Sequence, residues 1–258
     1  MRHFLFASLA AAAVGFSVVG GAQAAPIDKQ VTIRPIQLCD DGGLNCAPIN
    51  TYEAASDKIW AQGGIDFVFL TTQMWNSTAF RLLDADVSEE LLMFDAGSTL
   101  FGDPALSGII NMYFVSDFTI TSGTLFGVGC GALVYAAVCS GESGVAINAP
   151  AVNAFNSGAG RIDVVAHEVG HVLGLGHFDF GAGGVENLMT EGSTRVPALN
   201  LANIAPDGDN RDQLTVAQVN ASRSSFYVRD LAAVPEPASM AVLAMGLAGL
   251  ALLRRRGA

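Results

Sequence analysis

Residues 162–177 run Ile162-Asp163-Val164-Val165-Ala166-His167-Glu168-Val169-Gly170-His171-Val172-Leu173-Gly174-Leu175-Gly176-His177. The chain has four histidines; His3 stands near the N-terminus, and the other three fall inside this stretch. Arg161 to Leu173 reads as a helix, with Val164, Val165, Val169, Val172 and Leu173 supplying its apolar positions. At about 100° per residue, His167 and His171 lie within roughly 40° of each other on one face, one turn apart. Both imidazoles can therefore point at one ion.

Gly174 ends that helix. Glycine meets no Cβ clash at positive φ, and helices commonly stop on such a residue. With Gly176 beyond it, the chain can double back and bring His177 to the same ion. Three neutral imidazoles leave a fourth position open, which is the pattern of a catalytic rather than a structural Zn²⁺. Glu168 follows the first histidine, so its carboxylate lies beside the metal, placed to take a proton from metal-bound water. The candidate metal ligands are thus His167, His171 and His177, and the candidate catalytic residue is Glu168.

These five residues, His167, Glu168, His171, Gly174 and His177, fill every fixed position of His-Glu-x-x-His-x-x-Gly-x-x-His. On them the chain resembles the metzincin clan of zinc endopeptidases. The resemblance implies an α+β fold: a twisted mixed β-sheet, two main helices above the cleft, and a smaller C-terminal lobe with a methionine turn and a C-terminal helix. Met189, in Asn187-Leu188-Met189-Thr190, is the candidate for that turn. Phe178 and Asp179 follow the third histidine, and Glu191 stands where astacin-like and serralysin-like members carry a tyrosine. The resemblance also implies that the strand at Gly131 to Ala137 borders the cleft and receives substrate as an added strand.

The chain has 258 residues, 51% of them apolar, enough for one main domain with a full core. Between Ala25 and Ala233 stand 9 Lys+Arg against 23 Asp+Glu, a net of −14. That balance excludes nucleic acid and anionic membrane surfaces as partners, since both need basic patches. Residues 1–24 read as a signal peptide: Arg2, an apolar run from Phe4 to Val19, and an Ala22-Gln23-Ala24 exit. Export permits disulfides, and sequence proximity favours Cys39–Cys46 and Cys130–Cys139 among three possible pairings.

Residues 25–230 are expected to form the metallopeptidase domain, its upper lobe about 27–174 and its lower lobe about 175–230. Gln30 to Leu38 reads as a first strand, Thr51 to Gln62 as a helix ended by Gly63-Gly64, and Ile65 to Leu70 as a second strand, an order that implies a crossover onto one sheet. Thr71 to Gly108 is hard to assign, with room for a short helix within Leu82 to Phe94. Ile109 to Phe118 and Gly144 to Asn148 read as strands. Asp207 to Asp212 is too irregular for an EF-hand and reads as a solvated acidic loop. Thr215 to Gln218 forms a capping box that opens a helix to about Tyr227.

Residues 231–258 are a tail: Val234-Pro-Glu-Pro, an apolar segment over 238–253, then Arg254-Arg255-Arg256. It resembles a PEP-CTERM sorting signal, which implies recognition by an exosortase-type enzyme. The expected setting is the periplasm, cell surface or matrix of a Gram-negative bacterium, with membrane contact through this segment alone. The leading expectation is a secreted zinc endopeptidase acting on protein or peptide substrates. The alternative, from another class, is a non-catalytic surface or matrix protein that keeps the zinc fold.

Overall fold

The computed structural model describes residues 25–84, 87–119, 123–131 and 139–231. The expected signal peptide, most of the expected 131–137 strand and the sorting tail lie outside the described residues.

Strand β1 (Lys29–Cys39) forms the spine. Helix α1 (Glu53–Trp60) buries Ala55, Ile59 and Trp60, and the chain then passes through a 3₁₀ turn to Gly64, whose φ of 69° reverses it into β2 (Ile65–Phe69). β2 pairs parallel with the first half of β1, so the expected strand–helix–strand crossover is present. The 71–108 region holds more structure than its sequence suggests. It contains β3 (Gln73–Asn76), parallel to the second half of β1, the one-turn α2 (Thr78–Arg81), β4 (Leu82–Asp84), the long α3 (Val87–Phe101) and the short α4 (Pro104–Ser107).

Next come β5 (Ile109–Val115), β6 (Asp117–Thr119), β7 (Gly127–Cys130), β8 (Gly144–Asn148) and α5 (Ala149–Ala154). The expected single strand from Ile109 to Phe118 is broken at Ser116, because β6 leaves the main sheet to pair with β4 in a separate two-stranded sheet. The histidine helix is α6 (Val164–Val172), followed by α7 (Val216–Arg223) and β9 (Val228–Asp230). The main sheet runs β2-β1-β5-β8-β7. Its pairs are parallel except β7 on β8 and β9 on β1, so the sheet is mixed as expected.

Alternation along the strands sends side chains to two cores. Val31, Ile33, Ile110, Met112, Phe114, Val145 and Ile147 face α1 and α6, where they meet Trp60, Val165 and Val169. Ile36, Leu38, Tyr113, Val115 and Ala146 face the other way, toward Met93 and Phe94 of α3. The sheet is thus covered on both faces, which explains why β5 is buried at every position after Ile109 and is apolar apart from Asn111. Both expected disulfides, Cys39–Cys46 and Cys130–Cys139, are formed.

Candidate metal centre

α6 begins at Val164 rather than at Arg161. Asp163 occupies the N-cap, but its carboxylate makes no cap hydrogen bond. It is drawn away by two guanidiniums: Arg161 Nε donates to Oδ1 at 2.9 Å, and Arg195 Nη2 donates to Oδ2. From this start His167 and His171 project one turn apart, and their rings meet edge to face with centroids 4.8 Å apart.

The return of the chain follows from Gly174, whose φ is 105°. Gly174 N–H donates to His171 O and Leu175 N–H to Gly170 O, both at 3.0 Å, satisfying carbonyls that the helix end leaves open. His177 then arrives with its Nε2 3.2 Å from His167 Nε2 and 3.1 Å from His171 Nε2. One ligating atom from each ring lies within 4.8 Å of the others.

The far side of each helical ring is anchored. His167 Nδ1 lies 2.6 Å from Leu188 O, and His171 Nδ1 lies 2.7 Å from Leu175 O. A carbonyl accepts only, so both Nδ1 atoms carry the hydrogen and both Nε2 atoms present lone pairs to one point. Bare lone pairs this close repel unless a cation sits among them. Nitrogens about 2 Å from a tetrahedral zinc are spaced by about 3.3 Å, close to what is found here. The donor set fits such an ion. Burial holds His171 down to about 4 and His167 well below the usual imidazole range, with Arg195 adding to the effect at His167; both are neutral at pH 7.

Glu168 is buried beside the rings. Burial pushes its carboxyl up to about 8, against the pull of Arg195 and Arg161. It borders a cavity of about 880 Å³, shared with the three histidines, Val128 and Phe178. The cavity's wall is β7, whose alternate glycines lie flat against α6. A Cβ on Gly127 would fall 2.7 Å from Glu168 Cγ, and one on Gly129 would fall 2.2 Å from the Glu168 carbonyl oxygen. Among the described residues, β7 ends the order of the main sheet beside β8.

Met189 is buried under α6, its sulfur so close to Gly170 that a Cβ there would lie 2.5 Å away. The turn before it is pinned: Asn187 Oδ1 accepts Met189 N–H at 3.0 Å, and Asn187 Nδ2 donates to Gln218 Oε1 at 2.8 Å. Gln218 belongs to the expected capping box with Thr215, which is present; the helix it opens stops at Arg223, short of Tyr227.

Sequence reasoning missed the charged layer behind His167. Arg195 Nη1 donates to Leu188 O, the carbonyl that orients His167, while Nη2 holds Asp163. Asp212 stands 3.7 Å from Arg195 Nη1 and is fully buried, so the expected solvated loop over 207–212 is corrected at its last residue. Its Oδ2 accepts Ala198 N–H at 3.2 Å. The signal available in sequence was only an acid and a base seventeen residues apart, which names no contact.

Residues 110–178 match the model of the reprolysin-like metallo-peptidase family M12B. That span runs from β5 through all three site histidines. Residues 233–256 match the PEP-CTERM protein-sorting motif. The chain is also similar to the solved structure of a zinc-dependent peptidase from Methanocorpusculum labreanum (strain Z), at 12% identity over 74% of this chain and 99% of that one, with a TM-score of 0.41. No curated protein matches the chain. Among the described residues, no helix is long and apolar enough to cross a membrane; the expected segment, 238–253, lies outside them.

Proposed function

We propose that this protein is a secreted zinc endopeptidase of metzincin type, with residues 25–230 as the peptidase unit. His167, His171 and His177 hold Zn²⁺, and Glu168 is the general base. The observation that carries the reading is the meeting of three Nε2 lone pairs, two of them fixed by Nδ1–H bonds to the Leu188 and Leu175 carbonyls. The partial match to the reprolysin-like family supports it.

Zinc, when bound, supplies Lewis acidity toward water and toward the scissile carbonyl. Glu168 takes a proton from the attacking water and returns it to the leaving amide nitrogen, so one carboxyl acts as base and then as acid. Its place on the cavity wall beside the three imidazoles suits both roles, because the same carboxyl can reach the water and the leaving nitrogen. The Leu188 and Leu175 carbonyls keep the His167 and His171 rings turned to the metal. The sorting motif supports export and recognition of the tail by an exosortase-type enzyme, with membrane contact through residues 238–253.

Two readouts test this together. Cleavage of casein or a peptide mixture should be abolished by a zinc chelator and restored by added zinc. Glu168→Ala should lower turnover by about 100-fold or more while zinc content stays at one per chain. Normal turnover in Glu168→Ala removes that residue from the role. Absence of chelator-sensitive cleavage leaves the non-catalytic alternative.

A further inference from the structure

The cleft holds a cation that the bond-breaking steps above do not use. Arg161 is 5% exposed and lines the cavity with Val164 and Glu168. Its Nε donates to Asp163 Oδ1, and its guanidinium carbon lies 5.1 Å from the Phe126 ring centre and 5.3 Å from that of Phe155. Those two rings meet edge to face at 5.5 Å, forming a corner that fixes the guanidinium plane. A guanidinium has five N–H donors, and Nε accounts for one. Among the described residues, the two Nη nitrogens have no hydrogen-bond partner, and neither is sealed from the cavity.

Among the described residues, Asp163 is the one ion-pair partner of Arg161, and it is shared with Arg195. Asp212 lies beyond Arg195, 3.7 Å from it. Glu168 and Glu90 also border the cavity and supply no cation to an anion that stops short of Arg161. A ligand carboxylate must therefore reach the Nη pair itself, where a planar fork meets two oxygens side by side. A clamp that only held the start of α6 would be complete with Nε on Asp163 and the two rings.

We propose that Arg161 makes this cleft selective for an acidic side chain beside the scissile bond, the carboxylate of a substrate Asp or Glu seating on its Nη atoms. The inference rests on the peptidase reading and adds the substrate class. It is tested by a cleavage profile on a peptide library and by equilibrium binding of matched peptides, Asp against Asn and Glu against Gln, to the zinc-loaded Glu168→Ala protein. Wild type should enrich Asp or Glu at one subsite, and the acidic peptide should bind about 10- to 100-fold tighter than its amide twin. Arg161→Gln should erase both preferences with zinc content unchanged. Arg161→Lys, which keeps the charge but not the fork, should retain part of them.

Metal-dependent cleavage with no acidic enrichment overturns this inference alone, as does enrichment that survives in Arg161→Gln. If Arg161→Gln fails to fold, Arg161→Lys decides: a preference equal to wild type overturns the proposal and a weakened one supports it. A wild-type protein that neither holds zinc nor cleaves overturns the peptidase reading, and this inference with it.

Discussion

At the scale of single residues, the site is built as much by absent side chains as by present ones. Gly129 lets β7 lie on α6 so closely that a methyl group would sit 2.2 Å from the Glu168 carbonyl oxygen. The nearest atoms, the Glu168 carbonyl oxygen and carbon, are backbone and cannot swing aside. Gly129→Ala should therefore destabilise the fold by about 1–3 kcal/mol or more, seen as a lower urea midpoint at unchanged slope. A midpoint equal to wild type would mean that strand and helix are not in contact as described. The same scale shows what sequence can carry. His167, Glu168, His171, Gly174 and His177 were legible because their roles depend on local spacing. Arg161, Asp163, Arg195 and Asp212 were not, since a buried ion pair is a contact between distant positions that no spacing announces.

Among the elements, α1, β1, β2 and β8 were readable because a period of 3.6 or 2 runs through them and turn glycines bound them. α3 was not. Its apolar residues do not gather on a single face: Met93 and Phe94 enter the second core while Leu92 and Leu100 stay exposed, so the amphipathic signature is blurred. β9 is three residues long and carries no period at all; pairing with β1 alone makes it a strand. Between α1 and β2 lies a titratable contact. Asp57 Oδ1 accepts Phe67 N–H at 3.1 Å, yet burial, with Asp66 and Glu53 nearby, pushes its carboxyl up to about 6. A carboxyl whose pKa is higher folded than unfolded favours the fold in its protonated form. Its contribution is therefore in place below about pH 4 and is lost as pH rises through about 6. Asp57→Asn keeps an oxygen for Phe67 N–H and removes the charge. Its Tm should exceed that of wild type above pH 6 and converge with it below pH 4; a constant difference across that range would contradict the assignment.

For the whole molecule, the C-terminal segment closes the sheet that the N-terminal strand opens. β9 pairs with Lys29 to Val31, Leu231 N–H donates to Asp28 O, and the buried Tyr227 hydroxyl donates to Ser143 Oγ at 2.7 Å. A chain spanning residues 25–231 should melt cooperatively near the full-length Tm, whereas one ending at residue 224 should lose the transition, because a fully buried aromatic and an edge strand go with it. Equal melting of the two would put the boundary of the folded unit elsewhere. Everything proposed for function depends on three imidazoles sharing one ion, and X-ray absorption at the zinc edge of the purified protein addresses that most directly. It should show one zinc per chain with three imidazole nitrogens at about 2.0 Å and an oxygen in the remaining place. A protein that purifies without zinc after zinc supplementation, or a metal bound by only two imidazoles, would contradict the account.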